Sequence, residues 1–289
     1  MEAPTDCNMK SGIIFVLILL FSRLDSQVIQ MKRMMIMRTT SKAERRWLWV
    51  LLVLGLVACQ AAEPPKPDFT AFEDVRERKA AFFAYLRPLA ERANASVLKD
   101  RARLLAIEAE GSDVGWWDRR TLKRLANEYG VDLSDMTGLL SRVDAVPVSL
   151  LLAQAANESS WGRSRFAREG NAFFGQWCFT PGCGMVPQGR PAGQTYEVRS
   201  FRSVSASVEA YVRNLNTGDA YQGLRDIRAR QRAKLSEPKG VALAEGLTSY
   251  STRGAEYVSE IQSMIRYNEL GRFDAADKAC GHSPLPDRC

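Results

Sequence analysis

The sequence predicts an α+β protein, mainly helical, with a small β-hairpin lobe and an N-terminal helical layer. Three observations carry that expectation. Apolar residues recur at helical spacing through most of the chain beyond residue 70. One stretch, Phe173 to Phe201, breaks the pattern with Gly, Pro and alternating aromatics. Helix punctuation is legible at Gly130, Pro147, Ser203 and Gly271.

Thr70 to Leu86 places Phe72, Val75, Phe82, Phe83 and Leu86 at helical spacing, with Pro88 near its end, and Ala93 to Ala109 continues as a second helix. Asp118 to Tyr129 is a third, ended by Gly130, and Leu133 to Val143 a fourth. These four hold no catalytic signature, so they read as a helical layer packed on the core of the later chain. Trp116 and Trp117 read as core or as a staple at a helix entry, with a binding role as the alternative. Val146 to Ser160 is the most apolar helix. Pro147 suits its first turn, where a missing N–H costs nothing, and the Leu and Ala residues behind it are strong helix formers. A short helix, Arg163 to Arg168, precedes strands near Phe174–Phe179 and Thr195–Phe201. Ser203 or Ser205 then caps a helix running to Asn216. Helices near Ala220–Lys234, Val241–Ser249 and Glu256–Leu270 complete the chain, the last ended by Gly271.

Composition excludes much chemistry. His282 is the only histidine, and it lies in the C-terminal tail. No Ser-His-Asp or Cys-His hydrolase and no two-histidine zinc peptidase can be built without a well-placed histidine. No Gly-rich phosphate loop and no nucleic-acid recognition motif is present. What survives is carboxylate chemistry, of which glycoside hydrolysis is the commonest form. Cys178 and Cys183 flank Phe179-Thr180-Pro181-Gly182, and Pro-Gly favours a type II turn that brings two sulfurs together. Cys280 and Cys289 bracket a Pro-containing tail. In an exported protein we expect two local disulfides. A zinc site from these cysteines and His282 is the alternative, but the spacings fit no familiar zinc pattern. No metal and no cofactor is expected.

The segment that carries chemistry is Ala153-Gln154-Ala155-Ala156-Asn157-Glu158-Ser159-Ser160-Trp161-Gly162-Arg163-Ser164. Gln154 and Glu158 are four apart and share one helix face. A glutamate at the end of an apolar helix is poorly hydrated, which raises its pKa and suits it to donate a proton. On the residues alone, a helix-end glutamate open to water is the simpler alternative.

The string Q-A-x-x-E-S-x-W-G-x-S, followed by Phe166-Ala167-Arg168-Glu169-Gly170-Asn171-Ala172-Phe173-Phe174-Gly175, resembles the bacterial glucosaminidase domain of glycoside hydrolase family 73. Trp177-Cys178-Phe179, Gly182-Cys183-Gly184 and Ala210 to Thr217 resemble its Bax-like branch in particular. The resemblance spans about Val143 to Leu270. It implies a lysozyme-like fold, a peptidoglycan glycan substrate and Glu158 as general acid. The bond implied is the β-1,4 link on the reducing side of N-acetylglucosamine. It also implies a second carboxylate on the β lobe, which points to Glu197, to activate water or to hold charge opposite Glu158. A surface glutamate paired with Arg199 is the alternative for Glu197, and Glu169 is a weaker rival. Some family members let the substrate's own acetamido group assist. Trp161, Phe174, Trp177, Tyr196, Tyr250 and Tyr257 are candidates to stack on sugar faces, with Gln154 and Asn171 for the hydroxyls. Trp161 is expected to shield Glu158 from water. Tyr250, Tyr257 and Ile261 resemble the family's downstream tyrosine motif, with different intervening residues. Some of the many arginines are candidates to contact the peptide carboxylates of cell wall. The alternatives are a lytic transglycosylase, which leaves anhydro-muramic ends, and a wall-binding module without activity.

The N-terminus reads as targeting sequence. Lys42, Arg45 and Arg46 precede an apolar run, Trp47 to Val57, that is short for a bilayer span and fits a signal-peptide core. It ends in Leu56-Val57-Ala58-Cys59, which resembles the lipobox of bacterial lipoproteins. That resemblance implies cleavage before Cys59, lipid on its sulfur and, with Gln60 beside it, sorting to the outer membrane. Residues 1–40 hold a second apolar run and a methionine cluster, from which we expect translation to start near Met37. Residues 1–58 carry 8 of the 40 Lys and Arg and 4 of the 33 Asp and Glu, leaving 32 and 29 and a net charge of +3. The basic balance is thus partly a property of the leader and argues little about partners. The expected organisation is a targeting segment at 1–58, a tether at 59–69, a helical region at 70–142, the catalytic domain at 143–271 and a tail at 272–289. A monomeric, lipid-anchored periplasmic enzyme is the overall expectation.

Overall fold

The computed structural model describes residues 63–111, 114–234 and 237–274. Cys59, Cys280, Cys289 and His282 lie outside the described residues, as do the targeting segment and most of the tail. From Glu63 onward the chain forms one compact unit, without a break at 142/143.

Helix α1, Val75–Glu110, explains that continuity. Asp74 caps it, its side chain accepting from the amides of Arg76 (2.7 Å) and Glu77 (2.9 Å). The sequence predicts two helices divided near Pro88, yet α1 runs through it. Pro88 denies the Ala84 carbonyl its partner, but both residues are exposed, so the freed carbonyl is open to solvent. The first half of α1 sends Phe82, Leu86 and Leu89 into the principal core beside Leu151, Phe173 and Val208. Its second half sends Leu104 and Ile107 into a smaller core with α2 (Trp116–Tyr129) and α3 (Met136–Arg142). Gly130 ends α2 in the left-handed region, and the Asp135 side chain caps α3.

Helix α4, Val148–Glu158, lies at the centre, buried from Val148 to Ala156. Pro147 is its cap residue rather than its first helical residue and offers no side-chain bond. The free amides are met from afar: Asp274 accepts from the Ser149 amide (2.9 Å), the Ser149 hydroxyl (2.7 Å) and the Gly240 amide (2.9 Å). Just before α4, Asp144 is almost wholly buried among arginines. Arg232 reaches it at 2.9 Å, and the buried Arg228 also donates to the Asp144 and Ala145 carbonyls. Charges this deep persist only as a hydrogen-bonded set.

The expected tether is docked from Glu63 onward. Glu63 accepts from the Val204 (3.1 Å) and Ser205 (2.9 Å) amides at the start of α6 (Val204–Thr217) and from the Tyr85 hydroxyl (2.8 Å). Unpaired amides and the dipole at a helix start favour a carboxylate there. Lys66 donates to the Ala167 and Arg168 carbonyls and to Asn171 Oδ1, and Phe69 is buried in the core.

After α5 (Arg165–Gly170, capped by Ser164) comes the β lobe. The sequence predicts a hairpin of two strands. The structure has three very short ones, β1 (Trp177–Cys178), β2 (Gly184–Met185) and β3 (Glu197–Arg199), antiparallel in the order β1-β3-β2. The disulfide between Cys178 and Cys183 closes the turn that separates β1 from β2. Ser203 caps α6, accepting from the Ala206 amide at 3.1 Å. Helices α7 (Gln222–Ala233), α8 (Gly240–Leu243) and α9 (Ala255–Tyr267) come last. The helix expected over Val241–Ser249 is α8 continued by a 3-10 turn at Ala244–Leu247. Among the described residues no helix is long and apolar enough to cross a membrane.

Candidate active site

Helix α4 ends at Glu158 because the residues after it turn left-handed: Ser160, Trp161 and Gly162 all have positive φ. Ser159 ties the turn, donating to the Ala155 carbonyl (2.6 Å) and accepting from the Gly162 amide (2.8 Å). Gly162 has no substitute, since a Cβ there would stand 2.2 Å from the Phe69 ring. The E-S-S-W-G string therefore encodes a fixed helix stop that leaves the Glu158 side chain beside open space.

A single directed chain of hydrogen bonds holds that side chain. Buried Tyr211, on α6, donates to Gln154 Oε1. Gln154 Nε2 donates to the Tyr257 hydroxyl at 2.8 Å, and Tyr257, on α9, donates to Glu158 Oε1 at 2.8 Å. Gln154 is fully buried with both ends of its amide used. Burial, followed by the charge of Glu158, holds the Tyr257 hydroxyl far above its usual range, so it remains a donor. Burial also raises the Glu158 pKa above its ordinary 4.5, against the opposing pull of Tyr257, Asn157 and the charge of Arg253. Oε1 takes the Tyr257 bond, and Oε2 faces Gly175, where a Cβ would come within 3.6 Å.

Glu158 opens on a cleft of about 1020 Å³. Phe174, Trp177, Tyr250 and Tyr257, four of the aromatic candidates, line it. Trp177 is 59% exposed, and its ring is stacked on Tyr196 at 4.4 Å and 13°. Tyr196 therefore backs the cleft residue and is not itself in the lining. Tyr250 lies parallel to Tyr257 at 5.4 Å and donates to the Phe174 carbonyl (2.9 Å). Gln154 lies beneath the lining as a relay rather than as a sugar contact.

Other expectations differ from the structure. Trp161 is turned away from the cleft. It packs edge-on against Phe82 and Phe83 of α1, each at 5.5 Å, with Lys79 over its ring. The left-handed turn aims it there, so the shelter of Glu158 comes from the tyrosines instead. Asn171 is likewise structural, accepting from Lys66 (2.6 Å) and donating to the Phe201 carbonyl (3.0 Å). Glu197 is buried outside the lining, its two oxygens taken by the amides of Gly182 (3.0 Å) and Gly184 (2.8 Å). Those amides hold its carboxyl below the usual range. Cys178, Cys183 and Glu197 are also the one metal-ligand-type cluster among the described residues, and the disulfide takes both sulfurs.

The structure adds cleft residues to which the sequence assigned no role. Glu209 on α6 is the carboxylate besides Glu158 in the lining, and Asn157, Arg213 and Tyr221 join it. Arg213 pairs with Glu128 and Arg253 with Glu260, whereas Arg199 has no carboxylate partner among the described residues. Tyr211 lies in the family-like string Ala210 to Thr217 without a role legible there, and nothing local marks Glu209; both are placed by how α6 packs on α1, which brings the Tyr211 hydroxyl to Gln154.

Comparison with known proteins places the chain in a family. The glucosaminidase family model, described as mannosyl-glycoprotein endo-β-N-acetylglucosaminidase, matches residues 137–270. Protein Bax of Escherichia coli (strain K12) is 34% identical over 212 residues, covering 70% of this chain and 74% of that one. The chain belongs to the glucosaminidase family. Among solved structures, the catalytic domain of the autolysin Auto from Listeria monocytogenes is matched at a TM-score of 0.36 and 14% identity, over 81% of this chain and 98% of that one. The family match starts within α3 and ends at Leu270, so α1 and α2 stand before it.

The raised pKa of this glucosaminidase-family glutamate has a consequence for stability. The folded state binds the Glu158 proton more tightly than the unfolded chain does. The resulting penalty is fully present above the folded pKa and vanishes as pH falls below 4.5. Glu158→Gln removes the charge and keeps an acceptor for Tyr257. Paired thermal melts are expected to show this variant more stable than wild type at pH 7, with the gap closing towards pH 4. A gap that stays constant with pH contradicts the assignment.

Proposed function

We propose that this chain hydrolyses the glycan of peptidoglycan at the β-1,4 bond on the reducing side of N-acetylglucosamine, with Glu158 as general acid. The observation that carries this reading is a poorly hydrated carboxyl at a cleft, held by a tyrosine donor, in a glucosaminidase-family chain. Glu158 gives its proton to the glycosidic oxygen as the C1–O bond breaks and the sugar gains oxocarbenium character; water adds at C1 and returns a proton. Trp177, supported from behind by Tyr196, offers its free face to the apolar side of a sugar ring. Arg199 suits a carboxylate of the wall peptide. We assign activation of the water to Glu209, which lines the cleft, ahead of Glu197, whose oxygens are committed to the disulfide loop. Glu197 then serves by holding the lobe that carries Trp177 and Arg199.

Digestion of purified sacculi tests this reading. Wild type is expected to release reducible N-acetylglucosamine ends, and Glu158→Gln to be slower by about 10²–10⁴-fold while folded. Glu209→Gln should lower turnover without lowering Tm, and Glu197→Gln should lower Tm. Anhydro-muramic ends support a transglycosylase instead, and no release by wild type supports a binding module.

We further propose that the enzyme is a periplasmic, outer-membrane lipoprotein anchored through Cys59, on the strength of the Leu-Val-Ala-Cys string and the apolar run before it. Growth with labelled palmitate is expected to label the wild type and not Cys59→Ala. An unlabelled wild type refutes the anchor.

A further inference from the structure

Away from the cleft, two large apolar side chains stand side by side in solvent: Trp116 is 62% and Trp117 73% exposed. The sequence reads them first as core or as a staple, yet they open α2 in solvent, and its buried face is made by Leu122, Leu125, Ala126 and Tyr129. Arg119, Arg120 and Lys123 lie three, four and seven residues beyond Trp116, so all four share one helix face. The three cations are exposed and form no ion pair among the described residues. Arg120 also sits over the Trp116 ring at 5.9 Å. The acid of this helix start, Asp118, is buried and paired with Arg103. The helix N-terminus adds positive potential. The face thus presents two indoles and three cations together.

We propose that this face of α2 is a contact surface for an anionic lipid bilayer. Indole rings settle at the headgroup level, where an apolar body and an N–H are both satisfied. Arginine and lysine beside them gain from lipid phosphates. A glycan strand is the less fitting occupant. The two indoles meet edge-on at 77°, so they offer no continuous flat platform for successive sugars. The cleft is also remote: Glu128, which pairs with the cleft residue Arg213, lies eleven residues beyond Trp117, about 17 Å along the helix. The surface is independent of the cleft chemistry and of the anchor at Cys59.

The test uses the chain from Glu63 onward, which holds both cores and lacks the apolar run before Cys59. Sedimentation with phosphatidylglycerol–phosphatidylcholine vesicles is expected to capture it, less so as salt rises. The Trp116→Ala/Trp117→Ala variant is expected to bind about tenfold more weakly or worse at unchanged Tm, because both rings are exposed. Reversing Arg119, Arg120 and Lys123 to Glu is expected to abolish the preference for anionic over neutral vesicles, each charge removed costing about fivefold. Failure of the wild type to bind anionic vesicles, or equal binding by the Trp variant, overturns the proposal. So does binding to purified glycan strands, and not to vesicles, that is lost with the two tryptophans.

Discussion

The buried amide of Gln154 is the constraint around which the candidate site is built. It lies deep in the core with nothing but protein around it, so both its oxygen and its nitrogen must find partners or cost stability. Tyr211 meets the oxygen and Tyr257 the nitrogen. The amide geometry then gives the chain of donors one direction, and its last hydroxyl has only Glu158 to face. Helices α6 and α9 are thus tied to α4 by polar bonds at the point where α4 stops. The same bonds fix one carboxyl oxygen of Glu158.

The backbone contributes as much as the side chains. A helix that ran past Glu158 would carry it along a solid wall of helix; the left-handed turn at Ser160–Gly162 ends α4 instead, and Ser159 and the Phe69 contact make that turn obligatory. Phe69 belongs to the stretch that Glu63 and Lys66 pin down. The residues before α1 therefore belong to the support of the site, and the aromatic cluster of Phe69, Phe82 and Phe173 links them to the strand-bearing lobe.

Much of this is legible in the sequence, in proportion to how local its causes are. Gly130, Ser203 and the apolar run into Glu158 announce their elements because caps and burial act within a turn or two. Pro88 misleads because the cost of a proline depends on whether water reaches the freed carbonyl, which is a tertiary fact. Trp161 misleads for a similar reason. Its place three residues after Glu158 invites a shared role, but a left-handed turn sends it to Phe82 and Phe83, far away in the chain. Tyr211 lies in a family-like string, yet its role is not legible there, because it reads as an apolar-face residue of α6 until its hydroxyl meets Gln154. Glu197 illustrates the converse: a carboxylate in the expected lobe whose oxygens are already spoken for by two amides.

The general-acid role proposed for Glu158 requires its carboxyl to keep its proton to higher pH than an ordinary glutamate. Carbon-detected NMR titration of that carboxyl, assigned by its loss in Glu158→Gln, measures this directly. The expected midpoint lies above 4.5 and moves higher still in Tyr257→Phe, where the stabilising donor to the charged form is gone. A midpoint at or below 4.5, unmoved by that substitution, contradicts it.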